Sequence, residues 1–282
     1  MKSLRSFFET IRVEHTVFAL PFAYATLFLV SRGWPRAHDF LWVSLAMVTG
    51  RTVGMGLNRI IDARVDARNP RTATRAIPAG RLSSAKAVIF TAVAGAAFVA
   101  AVYQLHPVCR WLWPIPIMWM TAYPYAKRFT PLAHFYLGLV YFMIPTAVWL
   151  AVAGAVPPVA IILGIGAGMW VAGFDIIYAC QDAEVDRREG LHSLPADFGI
   201  PRALASARWL HAGFLASLFA VSLMYGAGPW FNVAVVFTGL ALVYEHRLVS
   251  PGDLSKVNAA FFTTNGIVSM ALFALIALDT VI

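Results

Sequence analysis

Long runs of apolar residues, broken by short polar stretches, dominate the chain. Nine such segments can be marked, at 15–31, 40–61, 85–105, 109–126, 133–153, 158–181, 203–225, 229–246 and 258–278. Each is close to the ~20 residues that a membrane-spanning helix needs. The fourth is interrupted by Pro114, Pro116 and Pro124, which a membrane helix tolerates when its neighbours satisfy the freed carbonyls. The first follows a basic, amphipathic stretch from Lys2 to Glu14, and no small-x-small cleavage site closes it. It therefore reads as a retained helix and not as a signal peptide. The pattern predicts an all-α, polytopic membrane protein, with nine transmembrane helices in a single domain over residues 1–282.

Composition agrees with that pattern. The 282 residues are 60% hydrophobic and 13% charged, with mean hydropathy +0.70, whereas a soluble domain is about 45–50% apolar and about 25% charged. So few charges cannot coat a water-soluble globule, and disorder or a disulfide scaffold is excluded by the same figures. Cys109 and Cys180 are the only cysteines. The net charge of +8 is explained by topology. Of the Lys and Arg residues, 18 fall in connections on one side, 3 (Arg32, Arg36, Arg110) on the other, and Arg51 lies inside a helix. By the positive-inside rule, the N-terminus and the basic loops are cytoplasmic and, with nine spans, the C-terminus is outside. The expected location is the inner (plasma) membrane, and the basic excess carries no signal for nucleic acid.

Two cytoplasmic connections, near 62–84 and 182–202, resemble each other. The first reads Asp62-x3-Asp66, then Asn69-Pro70, then Ile77-Pro78-Ala79; the second reads Asp182-x3-Asp186, then Leu194-Pro195-Ala196. They follow the second and sixth segments, which suggests duplicated four-helix units, about 1–130 and 131–250, plus a ninth helix.

These connections hold the candidate chemistry. Asn58, Asp62 and Asp66 recur every fourth residue and so stack on one helical face, over roughly 12 Å. Asp175, Tyr178, Asp182 and Asp186 do the same at the end of the sixth segment. Like charges one turn apart destabilise a helix unless a cation lies between them. Oxygen ligands without His or Cys suit a hard ion such as Mg²⁺, which completes its shell with water and phosphate oxygens. One such cluster alone would read as a solvated helix end. Two in equivalent places, holding with Asp175 and Glu184 six of the chain's 14 acids, point to a site for a metal-bound diphosphate. Arg68, Arg71, Arg75 and Arg81 follow the first cluster, and Arg187 and Arg188 the second. Lys127 and Arg128 close the fourth segment. Such groups grip phosphate oxygens, though each also serves as a positive-inside anchor.

Arg51 shares the acid-bearing face two turns before Asn58, roughly 10 Å deeper. A charge at that depth marks a functional site by default. It reads either as counter-ion to an acidic substrate group, such as an aromatic carboxylate, or as a structural partner of Asp175 or another interior acid. Asp175 is one of few acids able to reach an apolar chamber, where it could stabilise positive charge or take a proton. Tyr178 offers a π-face to an allylic cation. His134 and His211, near helix ends, are expected to bond backbone carbonyls, and Trp111, Trp113 and Trp119 to form an interfacial belt.

Asn58-x3-Asp62-x3-Asp66, followed by Asn69-Pro70-Arg71-Thr72 and Ile77-Pro78-Ala79-Gly80, resembles the first signature of the UbiA-type intramembrane prenyltransferases. Tyr178-Ala179-Cys180-Gln181-Asp182-x3-Asp186, with Arg188-Glu189-Gly190 and Ser193-Leu194-Pro195, resembles the second. The forms of the two motifs look most like the 4-hydroxybenzoate polyprenyltransferase-like branch, which includes relatives acting on a dihydroxynaphthoate. The resemblance implies a helical bundle around a central chamber open to lipid. It implies that Asn58, Asp62, Asp66, Asp182 and Asp186 hold Mg²⁺ and the diphosphate of a polyprenyl donor, with help from Lys127 and Arg128. Asp175 and Tyr178 match positions beside the reacting carbon; a role for Arg51 rests on helical spacing alone. The expected activity is Mg²⁺-dependent transfer of a polyprenyl group from polyprenyl diphosphate to an aromatic acid, for ubiquinone or menaquinone. The competing class, a cation-coupled secondary transporter, expects acids near the bilayer midplane. Here they fall at helix ends.

Overall fold

The computed structural model describes residues 6, 7, 9 and 16–282; Lys2, Arg5, Arg12, Glu14 and residue 15 lie outside the described residues. The described chain is helical, with no strand beyond an isolated bridge between Ser250 and Asp253. The apolar segments become α1 (Thr16–Ser31), α2 (Ala37–Ile61), α3 (Ser84–Val102), α4 (Pro114–Ala126) and α5 (Ala133–Ala153). They continue as α6 (Pro158–Ala179), α7 (Ile200–Tyr225), α8 (Pro229–Arg247) and α9 (Asn265–Val281). Among the described residues, six stretches are long and apolar enough to cross a membrane: α2, α3, α5, α6 with its extension to Glu189, α7, and α9 with the turn that precedes it.

Local sequence accounts for many of the ends. Pro114, Pro158 and Pro229 open their helices, where a missing N–H costs nothing. Gly154 and Gly226 close α5 and α7 at φ +70° and +67°, a left-handed cap that favours glycine. The fourth segment loses its first turns to the prolines: Cys109–Leu112 is a separate short turn, and α4 starts at Pro114. The ninth begins with a π-helical turn, Ala259–Thr264.

The bundle is built around α6. Its apolar window is 67% buried, against 22–39% in the other five candidate spans, so α6 is lined by protein while its neighbours turn a face outward. Leu41, Val93 and Trp209 lie on those exposed faces, as do Met118 on α4 and Leu240 on α8 on theirs. Helices α5 and α7 flank α6, α2 pairs with α3, and α1 packs on α5 and α9. Lipid is as apolar as a leucine side chain, so close packing and interhelical hydrogen bonds hold such helices together. The α5–α6 crossing shows this: a Cβ on Gly138 would lie 2.6 Å from the Gly168 carbonyl oxygen. Trp170, fully buried, stacks on Phe214 at 5.4 Å and meets Phe174 edge-on.

Candidate active site at one end of the bundle

Helix α2 ends at Asp62, whose backbone (φ −88°, ψ 1°) interrupts the helix before a short turn resumes over Ala63–Asp66. Asp62 and Asp66 are nevertheless buried together at that end. Asp62 accepts from Lys127 Nζ at 2.6 Å and from Asn58 Nδ2 at 3.4 Å. Arg128 approaches its other oxygen at 3.7 Å and donates to the Ile61 carbonyl. Asp66 receives Arg75 Nη1 on both carboxylate oxygens at 2.7 Å. Burial raises the Asp62 carboxyl pKa above the ordinary value, opposed by the charge and hydrogen bond of Lys127. The buried anion is tolerated because a cation touches it.

The second cluster is held differently. Helix α6 passes through a 3₁₀ turn, Cys180–Asp182, into the short helix Ala183–Glu189, which Gly190 closes at φ +67°. Ser193 donates to Asp186 at 3.0 Å and also caps the next short helix. The partners of Asp182 come from the first connection. Arg71 forks onto it, with Nε on Oδ1 at 2.9 Å and Nη2 on Oδ2, and Asn69 Nδ2 donates at 3.0 Å. Asn69 also accepts the Arg71 backbone N–H, which sets the turn. Arg71 Nη1 donates to the Tyr178 hydroxyl at 2.9 Å, and its guanidinium lies 5.1 Å over that ring. The His192 N–H donates to the Lys127 carbonyl at 2.7 Å. The two half-chains are thus joined at the mouth.

Both clusters face one cavity of about 360 Å³. It is lined by Asn58, Asp62, Asp66, Arg71, Arg75, Lys127, Asp182 and Asp186, with Arg51, Asp175 and Tyr178 also on its wall. Arg128 is absent from the lining and reaches the site through Asp62, and Arg68, Arg81, Arg187 and Arg188 are absent from it as well. Met55, Met120, Leu137, Val140, Val171 and Phe174 supply apolar wall. A second, more polar cavity of about 460 Å³ shares the Arg71, Arg75 and Tyr178 wall.

Residues absent from the motifs also line this space: Tyr123, His134, Tyr141, Phe261 and Phe262. The phenylalanines come from the π-helical turn and set Tyr178, with ring centroids at 4.2 and 5.9 Å. No spacing announces them. His134 corrects the sequence reading: its Nδ1 bonds a carboxylate oxygen of Asp175 at 2.7 Å and not a backbone carbonyl. His211 does bond the Trp170 carbonyl, at 3.2 Å, and in addition meets His246 at 3.0 Å. Trp119 stacks on Tyr136 and donates to its carbonyl.

These motifs and this bundle have known counterparts. A family model described as the UbiA prenyltransferase family matches residues 19–267. The chain belongs to the UbiA prenyltransferase family. It is accordingly an integral membrane enzyme that transfers prenyl groups. It is 29% identical to the 4-hydroxybenzoate octaprenyltransferase of Aromatoleum aromaticum, over 90% of this chain and 86% of the relative. It is 27% identical to the enzyme of the same name from Vibrio atlanticus, over 93% of each. Among solved structures, the apo structure of a UbiA homolog from Aeropyrum pernix K1 superposes with TM-score 0.84 at 32% identity, covering 95% of this chain and 98% of that one. A UbiA homolog from Archaeoglobus fulgidus bound to GPP and Mg²⁺ shares the fold, with TM-score 0.75 at 19% identity over 98% of this chain and 99% of that one.

A hard cation fits the donors of the UbiA site. Among the described residues no three of His, Cys, Asp and Glu converge on one point, and Lys127, Arg75 and Arg71 lie against the acids. The donors are nonetheless all oxygen, and Asp62 Oδ1 is buried without a hydrogen-bond partner. A buried carboxylate oxygen with unused lone pairs is expensive in a protein interior. A divalent ion brought in with phosphate oxygens would satisfy it.

Proposed function

We propose that this UbiA enzyme transfers a polyprenyl group from polyprenyl diphosphate to an aromatic acid, 4-hydroxybenzoate or 1,4-dihydroxy-6-naphthoate, in ubiquinone or menaquinone biosynthesis. The observation that carries the reading is the single cavity on which acids and cations from both half-chains converge while Arg51 lines the wall. Relatives named 4-hydroxybenzoate octaprenyltransferase support the choice of acceptor.

Asp62, Asp66, Asp182 and Asp186 would hold Mg²⁺, which supplies Lewis acidity to the leaving diphosphate. Asn58, Arg71, Arg75, Lys127 and Arg128 bind the diphosphate oxygens. Lys127, Arg75 and Arg71 already neutralise the carboxylates, so they stand within reach of an anion drawn to the same place. Their charge favours heterolysis of the C1–O bond, since it is worth more against the diphosphate that forms than against the ester that breaks. Tyr178, fixed between Arg71 and Phe261, lies beside C1 and offers its π-face to the allylic cation. The apolar wall keeps water from capturing that cation. Arg51 holds the acceptor's carboxylate, which turns the electron-rich ring toward C1. The prenyl tail leaves the chamber for lipid.

In this reading the bundle crosses the inner membrane nine times, with the N-terminus and acid-bearing loops cytoplasmic and the C-terminus outside. Its two halves, about 1–130 and 131–250, descend from one four-helix unit. A secondary transporter finds no support, because the acids gather at helix ends.

The test uses purified protein in detergent with lipid, geranyl diphosphate and Mg²⁺, offering the two acids in parallel with EDTA as control. Prenylated product by mass spectrometry, lost with EDTA, is the expected result and identifies the acceptor. Absence of product with both acids overturns the aromatic-acid reading.

A further inference from the structure

We propose that His134 is a positioning residue for proton removal, holding Asp175 so that its carboxylate takes the proton released when the acceptor ring is alkylated. The inference rests on the aromatic-acceptor reading above. Asp175 lies on α6 one turn before Tyr178 and lines the cavity, with its side chain about one-fifth exposed. His134, in the first turn of α5, is buried, and its Nδ1 lies 2.7 Å from Asp175 Oδ2. Among the described residues its buried Nε2 has no hydrogen-bond partner. A carboxylate can only accept, so Nδ1–H is the donor of this bond and fixes the orientation of the ring. His134 therefore fixes one carboxylate oxygen and leaves the rest of the group to the chamber.

The step balances as follows. The C1–O electron pair departs with diphosphate to leave an allylic cation, and a π pair of the ring then bonds the ring carbon to C1. The ring C–H electron pair then restores aromaticity, and the proton passes to the Asp175 carboxylate. Before that, the same anion faces the allylic cation, so one group stabilises the positive charge and then accepts the proton that carries it away. A carboxylate free to rotate would do both less well, because proton transfer demands hydrogen-bond reach and alignment.

The experiment compares His134→Leu and His134→Gln with wild type, using geranyl diphosphate, Mg²⁺ and whichever acid the wild type prenylates, unlabelled or deuterated on the ring. The expected result is a loss in kcat of about 10²-fold for the leucine variant, with a ring-deuterium isotope effect larger than in wild type. Glutamine, which can still donate an N–H, restores most of the rate. Mg²⁺-dependent binding of geranyl diphosphate stays unchanged in both. A loss without a larger isotope effect, equal losses in the two variants, or no loss overturns the proposal. Should the leucine variant fail to fold, Asp175→Asn takes its place and must show the same isotope signature. A wild type that binds geranyl diphosphate but prenylates neither acid removes the reading on which this inference rests. Turnover by wild type without the isotope signature in the variants removes this inference alone.

Discussion

Two polar clusters of the bundle contrast, and we propose only one of them as a site. At the mouth, four aspartates meet Lys127, Arg71 and Arg75 around an open cavity. Among α6, α7, α8 and α9 lies a second cluster, which lines neither of the two cavities described above. Asn265 receives Trp170 Nε1 at 2.7 Å and donates to Glu245 at 2.9 Å, while His211 bonds His246 and the Trp170 carbonyl. Glu245 and Asn265 are wholly buried. Depth and charge alone would rank this second cluster above the first. The difference lies in the partners: at the mouth they are long cationic side chains that can turn to another anion, whereas inside they are short, fixed hydrogen bonds between helices. A buried charge marks function where its partner can be exchanged.

The largest expected effect is at the mouth. Asp62→Ala or Asp182→Ala is expected to lower turnover by on the order of 10³-fold, the scale seen when a preorganised electrostatic contact is removed. The protein should stay inserted and folded. Thermal unfolding with and without Mg²⁺ and geranyl diphosphate checks the cause, because the ligand-induced stabilisation of the wild type should vanish in either variant. Normal turnover in one of them would leave the two-cluster site without a basis.

Arg51→Leu comes next. Losing a charge-assisted contact worth about 1.5–3 kcal/mol should raise KM for the aromatic acid roughly 10–150-fold, while that for geranyl diphosphate stays near the wild-type value. The methyl ester of the acid, which offers no carboxylate, should lose little. Equal losses on acid and ester would assign Arg51 to the fold instead.

Much of this was legible in the residues and some of it was not. Apolar runs gave the helices because a membrane leaves the backbone few choices, and the i, i+4 aspartates gave the mouth because spacing fixes a face. Asn69 and Arg71 were visible as motif, but their bond to Asp182 depends on how the first connection folds over the second. His134 was assigned to a carbonyl because a lone histidine carries no periodicity, and its partner is 41 residues away on another helix. Phe261 and Phe262 reach Tyr178 only through the π-helical turn, which ordinary 3.6-residue spacing cannot foresee. The Glu245–Asn265 pairing was missed for a related reason: its members sit singly on α8 and α9.

That buried cluster yields the third prediction. Asn265→Ala removes the donor to Glu245 and the acceptor of Trp170, leaving buried polar groups unanswered at about 1–3 kcal/mol each. A lower unfolding temperature in detergent is expected, while kcat of the folded fraction stays within a few-fold of wild type. A selective loss of turnover at unchanged stability would move this cluster into the catalytic class and erase the distinction drawn above.

The smallest effect tests the distinction from the other side. Arg68 belongs to the same basic run as Arg71 and Arg75, and by sequence alone it is an equal candidate for the diphosphate. Its guanidinium instead meets Glu189 at 3.2 Å, with the arginine side chain 69% exposed. It lines neither cavity. An exposed pair of this kind contributes about 0.2–1 kcal/mol, so Arg68→Ala should change the unfolding temperature little and turnover less than about fivefold, the rate equivalent of such an energy. Arg71→Ala, assayed beside it, should lose far more, because it strips Asp182 and Tyr178 of their shared partner. If the two variants fall equally, being in the basic run is what matters; if they separate as expected, what an arginine touches decides its role.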